Sequence, residues 1–279
     1  MATKIPFQER KYHDDELVIN YNDACIYGRD LKLMESKTSW WNDACIHYQF
    51  ERLQHSQTAA ANSATGTKPL LLDPAVVSFL MHQLDESEHD EILDFCRGYN
   101  QFANVDSILI PINDTHRLDN SEWHVPGQGT HWSLLAIIFI KTEIVALHFD
   151  SMENSSNQIA AKQVANKWYR VYSFACTIRS PPSSLCLDVM NCQTPQQENG
   201  YDCALHVLAV AQAIVTAKED EVTSHSANVW TPQEVRRAYE RCVESFFFTY
   251  SKGKASTSST TQALRQDIAQ DVRHQAEFA

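Results

Sequence analysis

The chain has 279 residues, 43% of them hydrophobic, only seven glycines, and a formal net charge of −12. That length and apolar content suffice for one sizeable core, and nothing in the pattern forces a second domain. The acidic balance argues against nucleic acid or an anionic membrane surface as a partner, since both attract basic proteins, and it suits a basic protein partner.

Taken in order, residues 1–13 read as a loosely held arm, 14–250 as a single domain, and 251–279, opening on a Ser/Thr-rich stretch, as a flexible or partly helical tail. Residues 17–21 read as a strand or extended segment, and Asp30 to Met34 begin a turn of helix. Thr38 or Ser39 caps an expected helix over 40–54, followed by an Ala/Ser/Thr loop over 56–67. Asp73-Pro74 is a helix start, an N-cap side chain followed by a residue whose φ suits the first turn. Another helix is expected over 86–98. Residues 107–112 read as a strand in which Pro111 favours an end or an edge. Two apolar runs, 134–140 and 144–149, form a hairpin turning near 141–143, and a helix follows over 157–169. A last strand is expected over 187–190. Thr231-Pro232-Gln233-Glu234 is a capping box opening a helix to about Phe248. Helices and strands in this order predict an α+β fold with a central mixed or antiparallel sheet.

The eight cysteines show no CxxC pair or regular spacing, which reads as reduced thiols. No apolar signal segment opens the chain and no run approaches the roughly 20 apolar residues of a membrane span. Cytosol or nucleus is therefore the expected compartment. The remaining Cys and His residues lack metal-ligand spacing, so neither metal nor cofactor is expected, and a monomer is the simplest state.

The chemistry concentrates in Gln196-Gln197-Glu198-Asn199-Gly200-Tyr201-Asp202-Cys203, which places a cysteine at the mouth of the apolar run 204–217. A helix N-terminus favours an anion, hence the thiolate, the reactive form of cysteine. Alone, such a cysteine is more often a buried core thiol. His131 opens one strand and Asp150 ends the next, so an antiparallel hairpin brings an imidazole and a carboxylate side by side. Thiol, imidazole and carboxylate are the parts of a Cys-His-Asp triad. His148 and His206 lie within apolar runs and read as core histidines, with His206 the one rival base because it is three residues after Cys203. Asp202 reads as a helix N-cap, and Trp168, Trp230 and Phe246 to Phe248 as packing.

Thr130-His131-Trp132-Ser133-Leu134-Leu135, His148-Phe149-Asp150-Ser151, Ala161-Lys162-Gln163-Val164-Ala165, Gln196-Gln197 to Cys203, and Ser39-Trp40-Trp41-Asn42-Asp43 together resemble the ubiquitin-like-protein-specific cysteine proteases, the Ulp and sentrin-specific protease group. The likeness is nearest to the deneddylase branch, which acts on the neddylation modifier (NEDD-eight), and it covers roughly residues 15–215. The resemblance implies a papain-like scaffold with Cys203 as nucleophile, His131 as general base and acid, Asp150 as its orienter, and the Gln197 amide completing an oxyanion hole with the Cys203 N–H. It implies that Trp40 and Trp132 roof a narrow tunnel over the modifier's Gly-Gly tail, which excludes residues bearing a Cβ, and that Asp43 contacts that tail. Ala204 replaces the usual glycine after the nucleophile, with a reduced rate expected, and Trp41 replaces a usual leucine. The loop from Asn113 to His131 is longer than its family counterpart; Gly127 and Gly129 are expected to act as hinges, and Trp123 to pack on the bound modifier. The substrate implied is a ubiquitin-like modifier and its conjugates, the neddylation modifier first and SUMO second. An acyltransferase on the same scaffold and a modifier-binding module with little turnover are the alternative classes.

Overall fold

The computed structural model describes residues 10–60, 68–98, 105–125, 128–140, 143–175, 186–217, 231–250 and 257–276. A short antiparallel hairpin, β1 (Leu17–Tyr21) and β2 (Ala24–Tyr27), leads into α1 (Gly28–Glu35) and α2 (Asp43–Ala60). Then come β3 (Lys68–Leu71), α3 (Pro74–His82), α4 (His89–Gly98), β4 (Val105–Asn113), β5 (Trp132–Phe139), β6 (Ile144–Phe149), α5 (Asn157–Ala175) and β7 (Val189–Cys192). The chain closes with α6 (Cys203–Thr216), α7 (Pro232–Tyr250) and α8 (Thr257–Ala276).

The main sheet has the order β3-β4-β5-β6-β7, with the two inner pairings antiparallel and the two outer ones parallel. Both faces are covered, so the strands are apolar on both sides rather than alternating with polar residues. Leu134, Ala136, Ile138, Val145, Leu147 and Phe149 point to one core with α2 and α6; Leu135, Ile137, Ala146, Ile108 and Ile110 point to the other, with α3 and α5. That period-2 division is what a pleated strand imposes. The α+β class with a central mixed sheet flanked by helices is as expected.

Helix α6 is buried almost all round, packed on β5, α2, α7 and α8, as a helix with no polar face must be. Pro111 sits inside β4, yet its position costs no ladder bond. Leu109 O accepts from Leu72 N at the end of β3, and Pro111, two residues on, faces the same side just beyond that end. The Asp73 side chain accepts from Ala75 N, and Thr231 and Glu234 close their reciprocal box.

Three expectations are corrected. Helix α2 starts at Asp43, not at Trp40, because the Asn42 side chain accepts from Cys45 N and caps the first turn, leaving Trp40 and Trp41 outside the helix. The helix also runs to Ala60, so residues 56–60 are not loop, and 61–67 lie outside the described residues. The expected flexible or partly helical tail contains α8, a full helix whose Leu264, Ile268, Ala269 and Val272 are buried in the α6 core. Its Ser/Thr-rich start hid an apolar stripe at helical spacing further along. Among the described residues no helix is long and apolar enough to cross a membrane, and no cluster of three or more His, Cys, Asp or Glu side chains is placed to hold a metal.

Candidate active site

The register of the sheet puts Trp132 opposite Asn113 and Phe149 opposite Leu134, so His131, just before β5, and Asp150, just after β6, emerge at the same end. There His131 Nε2 meets Asp150 Oδ1 at 2.6 Å. Asp150 is held from three further directions. Its Oδ1 accepts from Met152 N at 2.9 Å, its Oδ2 from Ser155 Oγ, and its backbone carbonyl from Gln196 Nε2. His131 is anchored through its own carbonyl, which lies 3.2 Å from Asn157 Nδ2. That buried amide also reaches Ile112 O and Ser133 Oγ. On the other side, Thr130 bonds through both N–H and hydroxyl to the Asp114 carboxylate, closing the base of the 114–130 loop.

Cys203 is the first residue of α6 and is fully buried. Trp40 Nε1 donates to Cys203 Sγ at 3.1 Å, and the Trp40 ring stacks on Trp132 with centroids 5.8 Å apart and planes 20° from parallel. Trp132 is fixed in turn by donating Nε1 to Trp41 O at 3.0 Å. An extended chain passing between two ring faces needs about 7 Å, two van der Waals contacts. The stacked indoles, 5.8 Å apart, are therefore too close for a chain to pass between them, and Trp40 lies against the sulfur.

With Nε2 on Asp150, the other imidazole nitrogen, Nδ1, is buried and has the Cys203 thiol as its neighbour. It is the nitrogen available to a thiol proton. Burial pushes the His131 pKa down, but the bond to Asp150 and the coupling to Cys203 outweigh it and raise the pKa to about 9. Burial raises the Asp150 pKa, but the hydrogen bond and charge of His131 overcome it, and the net shift is downward.

Gln197 sits on the same rim. Its backbone N–H donates to Ser151 O at 2.9 Å, its Oε1 accepts from Ser151 Oγ at 2.7 Å, and its Nε2 donates to Asn199 O at 2.6 Å. One amide hydrogen is thereby engaged. Asp43 is exposed on the first turn of α2, where a carboxylate complements the helix dipole. Trp123 is half-buried and stacked on His82 at the end of α3, centroids 4.8 Å apart and planes 6° from parallel. At Gly129 a Cβ would lie 2.3 Å from Asn113 Oδ1, so close approach accounts for the glycine; Gly127 lies outside the described residues.

The rival base His206 is buried, stacks on Phe247 at 5.2 Å, and has its pKa pushed down by burial to about 4. His148 bridges Ser133 and Asn191 inside the structure. Asp202 occupies the position before α6, but its side chain makes no cap bond. It faces Arg265 of α8 instead, at 3.0 Å. Sequence reasoning missed Ser151, Asn157 and Arg265. Ser151 was visible as the neighbour of Asp150, whereas nothing in the sequence links residues 157 and 265 to this site.

Residues 39–245 match the Ulp1 protease family, C-terminal catalytic domain. The chain belongs to the Ulp1 protease family. Among the family's curated members, it is 34% identical to the probable sentrin-specific protease 8 of Dictyostelium discoideum, over 74% of this chain and 79% of that one. It is 28% identical to NEDD8-specific protease 1 of Arabidopsis thaliana, over 72% of this chain and 76% of that one. A crystal structure described as that of the de-sumoylating protease superposes with a TM-score of 0.55 at 14% identity, covering 94% of this chain and 97% of the other. At that identity the likeness is one of fold, and it places this Ulp1-family chain on the scaffold anticipated from its motifs.

Proposed function

We propose that this Ulp1-family protease is a cysteine isopeptidase and C-terminal hydrolase that releases a Gly-Gly-tailed ubiquitin-like modifier, the neddylation modifier, from lysine side chains or from its precursor. The observation that carries the reading is the pairing of His131 Nε2 with Asp150 at 2.6 Å, which leaves Nδ1 to the buried Cys203 thiol at a helix N-terminus. In the proposed mechanism Nδ1 of His131 takes the thiol proton, and the Cys203 sulfur attacks the terminal glycine carbonyl. The tetrahedral oxyanion accepts from the Cys203 N–H and the second amide hydrogen of Gln197; such a donor is worth about 10² to 10³ in rate. His131 then protonates the leaving amine, and water hydrolyses the thioester through the same imidazole. Trp40, besides covering the diglycine, donates Nε1–H to the sulfur and so fixes its position.

The choice of modifier rests on relatives named as a sentrin-specific protease 8 and a NEDD8-specific protease, together with the resemblance of the motifs. Covalent capture tests it, with the neddylation modifier, SUMO and ubiquitin each carrying a C-terminal electrophile. Selective labelling of Cys203 by the neddylation probe is the expected result. Labelling by SUMO alone changes the substrate, and no labelling of a folded protein ends the protease reading in favour of an acyltransferase or a binding module. The thiol chemistry fits a reducing compartment, cytosol or nucleus.

Trp123 is assigned to the modifier-binding surface of the 114–130 loop, held ready by its stack on His82. Trp123→Ala is expected to raise KM for a modifier substrate several-fold with little change in kcat. An unchanged KM confines Trp123 to packing.

A further inference from the structure

The family match ends at residue 245, before α8 begins at Thr257. Yet α8 sends one side chain, Arg265, under the active site. Its guanidinium is almost fully buried, with 3% of the side chain exposed. Nη1 lies 3.1 Å from Leu33 O, 2.7 Å from Ser36 O and 3.0 Å from Ser39 O. Nη2 donates to Asp202 Oδ1 at 3.0 Å and lies 3.5 Å from Tyr201 O. The guanidinium carbon sits 5.4 Å from the centre of the Trp41 ring. Two segments far apart in sequence meet on this one cation, the turn ending at Ser39 and the loop ending at Asp202. Each is the immediate chain neighbour of a site residue, Trp40 in one case and Cys203 in the other.

The rest of α8 reinforces the same loop. Thr261 Oγ1 donates to Asp202 Oδ2 at 2.7 Å, an oxygen that also accepts from Asn199 Nδ2. Thr257 Oγ1 donates to Gln196 O at 2.8 Å. Asp202 is thus freed from capping α6 and spends both oxygens on fixing the loop. A planar fork with donors on both branches is the chemistry that can hold three carbonyls on one side and a carboxylate on the other; an ammonium offers no such fixed pattern.

We propose that Arg265 is a positioning residue of the active centre: from α8 it locks the turn carrying Trp40 to the loop carrying Cys203, so that the indole N–H and the sulfur keep their register. The inference rests on the roles proposed above for Trp40 and Cys203. It adds a part of the machinery that lies outside the matched catalytic segment and touches no substrate.

The test compares wild type with Arg265→Lys and with the double variant Asp202→Asn/Arg265→Met, which removes both buried charges together and leaves neither unpaired. Two quantities are read per folded molecule, with folding followed by circular dichroism. One is turnover of the neddylation modifier, SUMO and ubiquitin linked at the C-terminus to a coumarin amine. The other is alkylation of Cys203 by iodoacetamide, located by mass spectrometry. Turnover is expected to fall about tenfold or more in the double variant, mainly in kcat, because loss of register misplaces the reacting groups. Alkylation of Cys203 is expected to rise as the Trp40 cover loosens, while Cys45, buried in the same core, stays unlabelled. Arg265→Lys falls between the two. A merely structural arginine lowers the folded yield and leaves turnover per folded molecule within about twofold of wild type, which overturns the proposal. If the double variant does not fold, Arg265→Lys, which keeps a cation against Asp202, carries the same comparison. Wild type hydrolysing none of the three conjugates overturns the proposed function instead, and the alkylation rates then decide the role of Arg265 alone.

Discussion

Cys203→Ser is expected to reduce hydrolysis of a modifier C-terminal amide by about 10⁴-fold or more, with the protein folded as before. Serine fits the space of the thiol, and its hydroxyl can still accept from Trp40 Nε1, so the packing at the start of α6 is kept. The nucleophile, however, changes from a thiol to an alcohol, which is intrinsically the weaker nucleophile. Among the described residues the other buried thiols do not substitute for it. Cys45 is buried against Asp30 O with its pKa raised well above the ordinary value by burial, and burial likewise keeps the Cys192 thiol protonated. Progress curves with a coumarin-linked modifier, run beside a melting curve for each protein, measure the effect. Residual activity within about tenfold of wild type would move the nucleophile elsewhere and dismantle the mechanism.

Asp150 carries the second large effect. Asp150→Ala removes the acceptor for His131 Nε2, releases Ser155 and Met152 N, and leaves the imidazole without a fixed tautomer. A loss of about 10³ to 10⁴ in kcat is expected, the order seen when a triad loses its orienting carboxylate. Asp150→Asn separates orientation from charge. An amide oxygen still accepts from Nε2–H, but it no longer stabilises the imidazolium. Burial then acts on His131 with less opposition, and its pKa drops from about 9 toward or below the ordinary 6.5. The sign follows from the roles. Imidazolium is the acid that protonates the leaving amine, so activity is lost as pH rises through the His131 pKa, near 9 in wild type and lower in Asp150→Asn. An alkaline limb at the same pH in both proteins would show that Asp150 does not set it.

The same pair has a consequence for stability. His131 has a raised pKa, so its contribution is fully present below 6.5 and is lost as pH rises through about 9. Asp150 has a lowered pKa, so its contribution is present above 3.8 and is lost as pH falls through the lowered value. Both views describe one interaction, strongest between those limits.

What was legible in the sequence is what local chain geometry dictates. The caps at Asp73 and Thr231 form as read because each closes within three residues. The hairpin of β5 and β6 follows from two apolar runs and a short turn, and once it forms, His131 and Asp150 must emerge together. The helix beginning at Cys203 follows from the apolar run behind it. By contrast, the start of α2 was misplaced because the choice among Thr38, Ser39 and Asn42 as cap depends on tertiary partners. Arg265 engages Ser39 O, and Asn42, which caps Cys45 N, also donates to Asp30. The 251–279 tail was misjudged because composition at its start outweighed a stripe whose burial needs α6 and α1 already in place.

The sequence by itself determined the fold class, the elements from α3 to α7, and the residue types that meet at the sheet end, because caps, strand periodicity and hairpin pairing are short-range and each is satisfied by neighbours in the chain. Only the tertiary structure decided which imidazole nitrogen faces the carboxylate, that Trp40 bonds the sulfur, that Gln197 leans on Ser151, and that Arg265 stands behind Cys203. Those contacts join residues 19 to 232 positions apart. They form only where packing has already fixed both partners, and no local periodicity records them.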